Sequence, residues 1–172
     1  GAREKETNRV VGGPEPKLVG PAAGNGGPSD AVVTFDGTNL DKWKNGQNWE
    51  INDGVATTKK SEISTKDSYG VCQFHLEFAT PEKVEGTGQG RGNSGVFLAS
   101  TGPGDAGYEL QIMDSFNKKT YVHGQVGSIY QQAIPLANPR RDHGDSQSHD
   151  VAGTAPTSTP DTAVQTPAAP HA

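Results

Sequence analysis

Every aromatic side chain of this 172-residue chain lies between Phe35 and Tyr130, and so do its single methionine and its single cysteine. Material for a core is therefore confined to the middle of the sequence, which is enough for one domain and too little for two. Residues 1–30 mix charges with Gly-Gly, Pro-Glu-Pro and Gly-Gly-Pro, and cannot bury enough apolar area to offset ordering the backbone. After Arg141 the chain holds no Leu, Ile, Met, Phe, Trp or Tyr and is dominated by Ala, Thr, Pro and Ser. The expected organisation is an arm over 1–30, a folded domain over 31–141, and an extended tail of polyproline type over 142–172.

Within the domain, 23 glycines and 12 prolines in the chain, with no apolar run at helical spacing, predict short strands joined by many turns. Val32 to Phe35 reads as a strand, with Leu40 and Trp43 as an apolar anchor after it. Trp49 to Ile51 and Val55 to Thr58 read as a hairpin across Asn52-Asp53-Gly54, residues that tolerate positive φ. A short strand is expected at Glu62 to Thr65. The clearest period of two runs from Cys72 to Phe78: Cys72, Phe74, Leu76 and Phe78 on one face, Gln73, His75 and Glu77 on the other. Asn93 to Ala99 and Tyr108 to Met113 follow. In the second of these Tyr108, Leu110 and Ile112 share a face and Glu109, Gln111 and Met113 the opposite one, unless a bulge intervenes. Residues around Ser128 to Tyr130 close the aromatic-rich part as a last strand. The class is all-β.

A net charge of −5 argues against a nucleic-acid binder, which needs clustered Lys and Arg to displace counterions. No stretch approaches the roughly 20 apolar residues of a membrane span. The start at Gly1 fits a removed signal peptide as well as an artificial start. Cys72 alone rules out an internal disulfide framework.

Several blocks, in order, resemble the 3-keto-disaccharide hydrolase domain family. They are Phe35-Asp36-Gly37-Thr38-Asn39-Leu40 with Trp43, Val71 to Phe78, Gly88-Gln89-Gly90-Arg91-Gly92-Asn93-Ser94-Gly95-Val96-Phe97-Leu98, and Tyr108 to Ser115. The likeness continues through Thr120-Tyr121 and Gly124-Gln125 to Ile129-Tyr130 and Pro135-Leu136-Ala137-Asn138. It implies a concanavalin A-like jelly-roll sandwich of two antiparallel sheets, with irregular arms at both ends, exported to the periplasm or beyond and facing carbohydrate. Where the family carries Gly-Glu-Trp-Gln-x-Tyr-Asp, this chain has Gly144 to Asp150 with Ser146 and His149 at the Trp and Tyr positions. Strands expected beyond about Pro167 are missing, so the sheets are expected to be incomplete or completed by another chain.

For a 3-keto sugar the oxidised carbon acidifies the C2 hydrogen, so one base and one donor near the ketone suffice to eliminate the glycosidic oxygen. Glu109 and His75 are the candidate bases. Asp114, at the end of Glu109-x-Gln111-x-x-Asp114, is a third catalytic candidate if a bulge turns it inward. Arg91, Asn93, Gln111 and Tyr130 are the candidate substrate contacts. Each has a plainer alternative: a solvated strand face for Glu109, Gln111 and His75, backbone requirements for Asn93, core packing for Tyr130. No redox cofactor is needed and no metal is expected, because His143, His149 and His171 are irregularly spaced; a divalent ion on Asp and Glu oxygens is left open. Two other functions stay open: a carbohydrate-binding module without chemistry, and a structural subunit that forms a homo-oligomer or polymer by exchanging arms across exposed strand edges.

Overall fold

The computed structural model describes residues 19–20, 27–59, 61–100, 107–117, 120–138 and 141–153. Eight strands and three short 3-10 turns make up its regular structure, with no α-helix among the described residues, in agreement with the all-β expectation. The chain divides into two compact units, Gly1–Lys66 and Asp67–Ala172. Most of the expected N-terminal arm, the stretch 154–172 and His171 lie outside the described residues.

In the first unit, strand β1 (Trp43–Lys44) pairs antiparallel with β4 (Ser64–Thr65), and β2 (Glu50–Asn52) with β3 (Val55–Thr57). The hairpin turn has positive φ at both central residues, 49° at Asp53 and 78° at Gly54, as a primed turn requires to match strand twist. Val32 to Phe35 does not form the expected strand. The carbonyls there are taken by side chains instead: Lys42 Nζ donates to Val33 O at 2.6 Å and the Trp43 indole N–H to Thr34 O at 2.9 Å. Val32 and Val33 stay exposed, so β-branched residues without a partner strand do not make a ladder.

The second unit holds two longer ribbons. Strand β5 (Cys72–Phe78) pairs with β8 (Gln147–Gly153) through seven opposed residues, and β6 (Ser94–Leu98) with β7 (Tyr108–Ile112) through five. Along β5 the alternation holds for Phe74, Leu76 and Phe78, half-buried, against Gln73, His75 and Glu77, exposed. Cys72, expected on the covered face, is exposed at the strand's end. Strand β8 lies within the stretch expected as a tail. Gln147, His149 and Val151 fall opposite Phe78, Leu76 and Phe74 on the half-buried face, and the His149 ring packs 4.8 Å from the Phe78 ring. A continuous ladder with an apolar partner strand orders a segment that has too few apolar residues to order itself.

The core centres on β7, where Leu110 and Ile112 are buried together with Met113 and Val126. The far edge of β7 is met by the segment expected as a last strand, but only as a bridge between Leu110 and Ile129. Gln131 takes a φ of 58°, and Gln132 and Ala133 both donate back to Ile129 O, so the chain turns before a strand can extend.

Candidate functional site

The register of β6 and β7 sets Phe97 opposite Glu109 and Gly95 opposite Gln111, which puts all four on one face. Across the other edge, the Tyr130 N–H donates to Glu109 O at 2.9 Å and the Gln111 N–H to Ser128 O at 2.9 Å. These bonds flank the Leu110–Ile129 bridge, so Tyr130 stands opposite Glu109 and shares its face. Glu109 is half-buried, and a side chain at Gly95 would collide with its carboxylate; the absent β-carbon is what lets that carboxylate lie across β6.

Beside this carboxylate stand two phenols. Tyr121, which precedes the 3-10 turn Val122–Gly124, brings its hydroxyl to 2.5 Å from that of Tyr130, with the rings tilted at 51°. The Tyr130 hydrogen bond, with burial and nearby negative charge that includes Glu109, holds the Tyr121 phenol above its ordinary pKa of 10. It is therefore a neutral O–H donor at physiological pH.

Gln111 faces the same way but is only 1% exposed. Its amide nitrogen donates to Asn93 Oδ1 at 3.0 Å, and the Asn93 amide nitrogen to Gln89 O at 2.8 Å. Both polar ends of Asn93 are thus engaged with protein, in a line of amides from Gln111 to Gln89.

Arg91 and Asp114 come together in a second group. The guanidinium donates from Nε to Asp114 Oδ2 at 2.5 Å, and from Nη2 to Phe116 O at 3.0 Å and His143 Nε2 at 3.2 Å. His143 Nδ1 lies 3.1 Å from the same carboxylate oxygen, within ion-pair reach but poorly aligned for a hydrogen bond. Burial alone would raise the Asp114 pKa. The bonds from Arg91 and the Phe116 N–H, with the Arg91 charge, outweigh it and hold the carboxyl below its ordinary range. Asp114, 4% exposed, is an ionised anchor of the loop that carries Arg91.

His75 joins a third group on the exposed face of β5 and β8, with Nδ1 2.7 Å from Asp150 Oδ1 and Nε2 4.0 Å from Glu77. Among the described residues no three His, Cys, Asp or Glu side chains converge as metal ligands would. No helix among them is long and apolar enough to cross a membrane.

Comparison with known proteins decides the family. The model of the 3-keto-alpha-glucoside-1,2-lyase-like domain matches residues 30–162. The chain belongs to this family.

The fold of this lyase-like domain is concanavalin A-like, shared with solved relatives from Parabacteroides distasonis. One, described as a candidate glycosyl hydrolase, is 41% identical with a TM-score of 0.77 over 87% of this chain, which spans 65% of that protein's length. A second of the same description is 26% identical with a TM-score of 0.56, covering 70% of this chain and 61% of its own. A third, 23% identical with a TM-score of 0.56 over 72% of this chain and 64% of its own, supports the fold alone. No curated protein matches.

Within the lyase-like domain the matched span runs past Arg141 and takes in His143 and β8. Sequence reasoning passed over Tyr121, Gln89, His143 and Asp150 as site residues. Tyr121 and Gln89 stood inside the quoted family blocks, and for Gln89 a polar side chain between two glycines was the available signal. Nothing in the sequence pairs His143 with Asp114 or Asp150 with His75, because those contacts depend on long-range register.

Proposed function

We propose that this domain cleaves 3-keto-glycosides by β-elimination, with the Glu109 carboxylate as base and the Tyr121–Tyr130 phenols as donors. The observation that carries this reading is the shared face: a carboxylate held over Gly95, and beside it two phenol hydroxyls hydrogen-bonded to each other. Glu109 takes the C2 proton, which the C3 ketone acidifies. The C2–H electron pair becomes a C1=C2 double bond as the C1–O bond breaks with its pair on the glycosidic oxygen. A phenol hydrogen-bonds the ketone oxygen as it gains charge, or gives its proton to the departing oxygen, and the proton on Glu109 restores the balance through solvent. The products are an enone sugar and a free alcohol, and later addition of water to the enone yields the 3-keto sugar.

In this reading Asn93 and Gln111 brace the face through their amides, and Arg91 fixes its loop through Asp114. The resemblance implies export, and a periplasmic or extracellular location is proposed here; fractionation of the native host tests it.

The test is turnover of a 3-keto-α-glucoside followed by alcohol release. Replacing the base, Glu109→Gln, is expected to lower kcat by about 10²- to 10⁴-fold, the usual contribution of a positioned general base. Tyr121→Phe is expected to lower it by about tenfold or more, in line with loss of one donor to developing charge. Turnover unchanged in Glu109→Gln removes the proposal, and saturable sugar binding without product in the unaltered protein makes the domain a binding module.

A further inference from the structure

The Tyr121 phenol can act only if something holds it, for it sits on an exposed loop. Neither Tyr121 nor the turn Val122–Gly124 lies in a strand, and Tyr121 and Val122 are about half exposed. A side chain in that setting samples several rotamers unless its flanks are tied down. The Gln131 N–H and the Ser128 hydroxyl hold His123 O in the middle of the turn, and the ties nearest Tyr121 come from one residue of the opposite loop. Gln89, in the 3-10 turn Gly88–Gly90, donates from its amide nitrogen to Thr120 Oγ1 at 2.8 Å and to Gly124 O at 3.1 Å. Thr120 and Gly124 are the residues on either side of Tyr121 and its turn, so one amide grips both ends of the loop. The same nitrogen lies 3.8 Å from Met113 Sδ, against the buried end of the strand that carries Glu109.

Packing closes the arrangement. A β-carbon at Gly124 would crowd both the Gln89 amide nitrogen and the Tyr121 ring, so amide, ring and backbone already fill that space. The main chain of Gln89 meanwhile accepts the Asn93 amide, which in turn receives Gln111, two residues along β7 from Glu109. Gln89 therefore joins the loop bearing the phenol to the strand bearing the carboxylate.

We infer that Gln89 is a positioning residue, whose amide sets the Tyr121 hydroxyl against Tyr130 on the Glu109 face. It touches no substrate itself. The inference rests on the reading above only for its catalytic consequence; the geometric part stands apart from it and has its own readout.

The experiment uses the full chain, with Gln89→Met to keep the volume and remove both hydrogen bonds, and Tyr121→Phe as reference. Tyrosinate absorbance is followed as pH rises through the tyrosine range, and kcat and KM are measured on a 3-keto-α-glucoside. The unaltered protein is expected to show a late-titrating tyrosine that Tyr121→Phe abolishes. In Gln89→Met that tyrosine returns to the ordinary range, and kcat falls about tenfold with KM changed less than about twofold, as for a misplaced rather than a missing group. A late-titrating tyrosine and a kcat both retained in Gln89→Met overturn the inference, even where Tyr121→Phe confirms the phenol's role. If Tyr121→Phe leaves kcat unchanged, the proposed chemistry fails while the titration still judges the positioning. Should Gln89→Met not fold, Thr120→Val removes one of the two grips on the same loop: an earlier tyrosine titration supports the inference and an unmoved one sinks it.

Discussion

Each ribbon of the second unit has one strand, β5 or β7, that alternates apolar and polar residues, yet the two hold those polar side chains at different depths. On β5 and β8 the polar face is open: His75 and Asp150 pair with most of both side chains in solvent. On β6 and β7 the corresponding face is covered at one end, where Gln111 is 1% exposed, and half covered at the other, where Glu109 and Tyr130 sit. Alternation tells which side chains share a face, but what covers the face decides whether a carboxylate there is solvated or poised. In β7 the covering comes from two segments, the loop before β6 through the amides of Gln89 and Asn93 and the chain after β7 through the phenols of Tyr121 and Tyr130.

If this contrast is right, removing groups from the covered region costs more than removing them from the open one. The largest stability effect is expected for Arg91→Ala, which leaves the nearly buried Asp114 carboxylate without its main partner; about 3–5 kcal/mol is the usual cost of breaking a buried pair. Urea unfolding at neutral pH measures it. The Asp114 carboxyl is held below its ordinary range in the fold, so its contribution is complete above the unfolded pKa near 4 and disappears as pH falls through the lower, folded value. Asp114→Asn should accordingly flatten the acid side of the stability profile, and an unchanged acid limb would show the pair to be unimportant.

A smaller effect is expected at His149, on the covered face of β8. Burial, against the opposing pull of the Gln111 carbonyl and of Asp150, keeps its imidazole below the ordinary pKa. Protonation then favours the unfolded chain, so its contribution is present above the unfolded pKa near 6.5 and is lost as pH falls below it. His149→Gln should remove that slope between neutral and mildly acidic pH in thermal unfolding. The smallest effect belongs to His75→Ala: an exposed ion pair contributes at most about 1 kcal/mol, and turnover should change by less than about twofold. A large loss of turnover in His75→Ala would move the chemistry to the open ribbon and reverse the comparison.

How much of this was legible in the sequence follows the same divide. Strands β5 and β7 were readable because each satisfies its period locally, β6 because it stands inside a family block, and the turn at Asp53-Gly54 because its residues accept positive φ. Val32 to Phe35 misled because strand propensity needs a partner edge, and there the carbonyls bond to Lys42 and Trp43. Strand β8 was hidden for the converse reason: Gln147 to Gly153 has little apolar material of its own and is ordered by Phe74, Leu76 and Phe78 opposite. At the site, Glu109, Gln111 and Tyr130 were visible from alternation and family likeness. The grouping of Arg91 with Asp114 and His143, which spans 52 residues of chain, was not, because only the folded register brings those side chains together.

The most direct test of the Glu109 face is made on the bond it is proposed to break. A 3-keto-α-glucoside carrying deuterium at C2 should release its alcohol more slowly than the protium substrate with the unaltered protein, and Glu109→Gln should release almost none from either. Equal rates for the two substrates, or wild-type release by Glu109→Gln, would contradict elimination from this face.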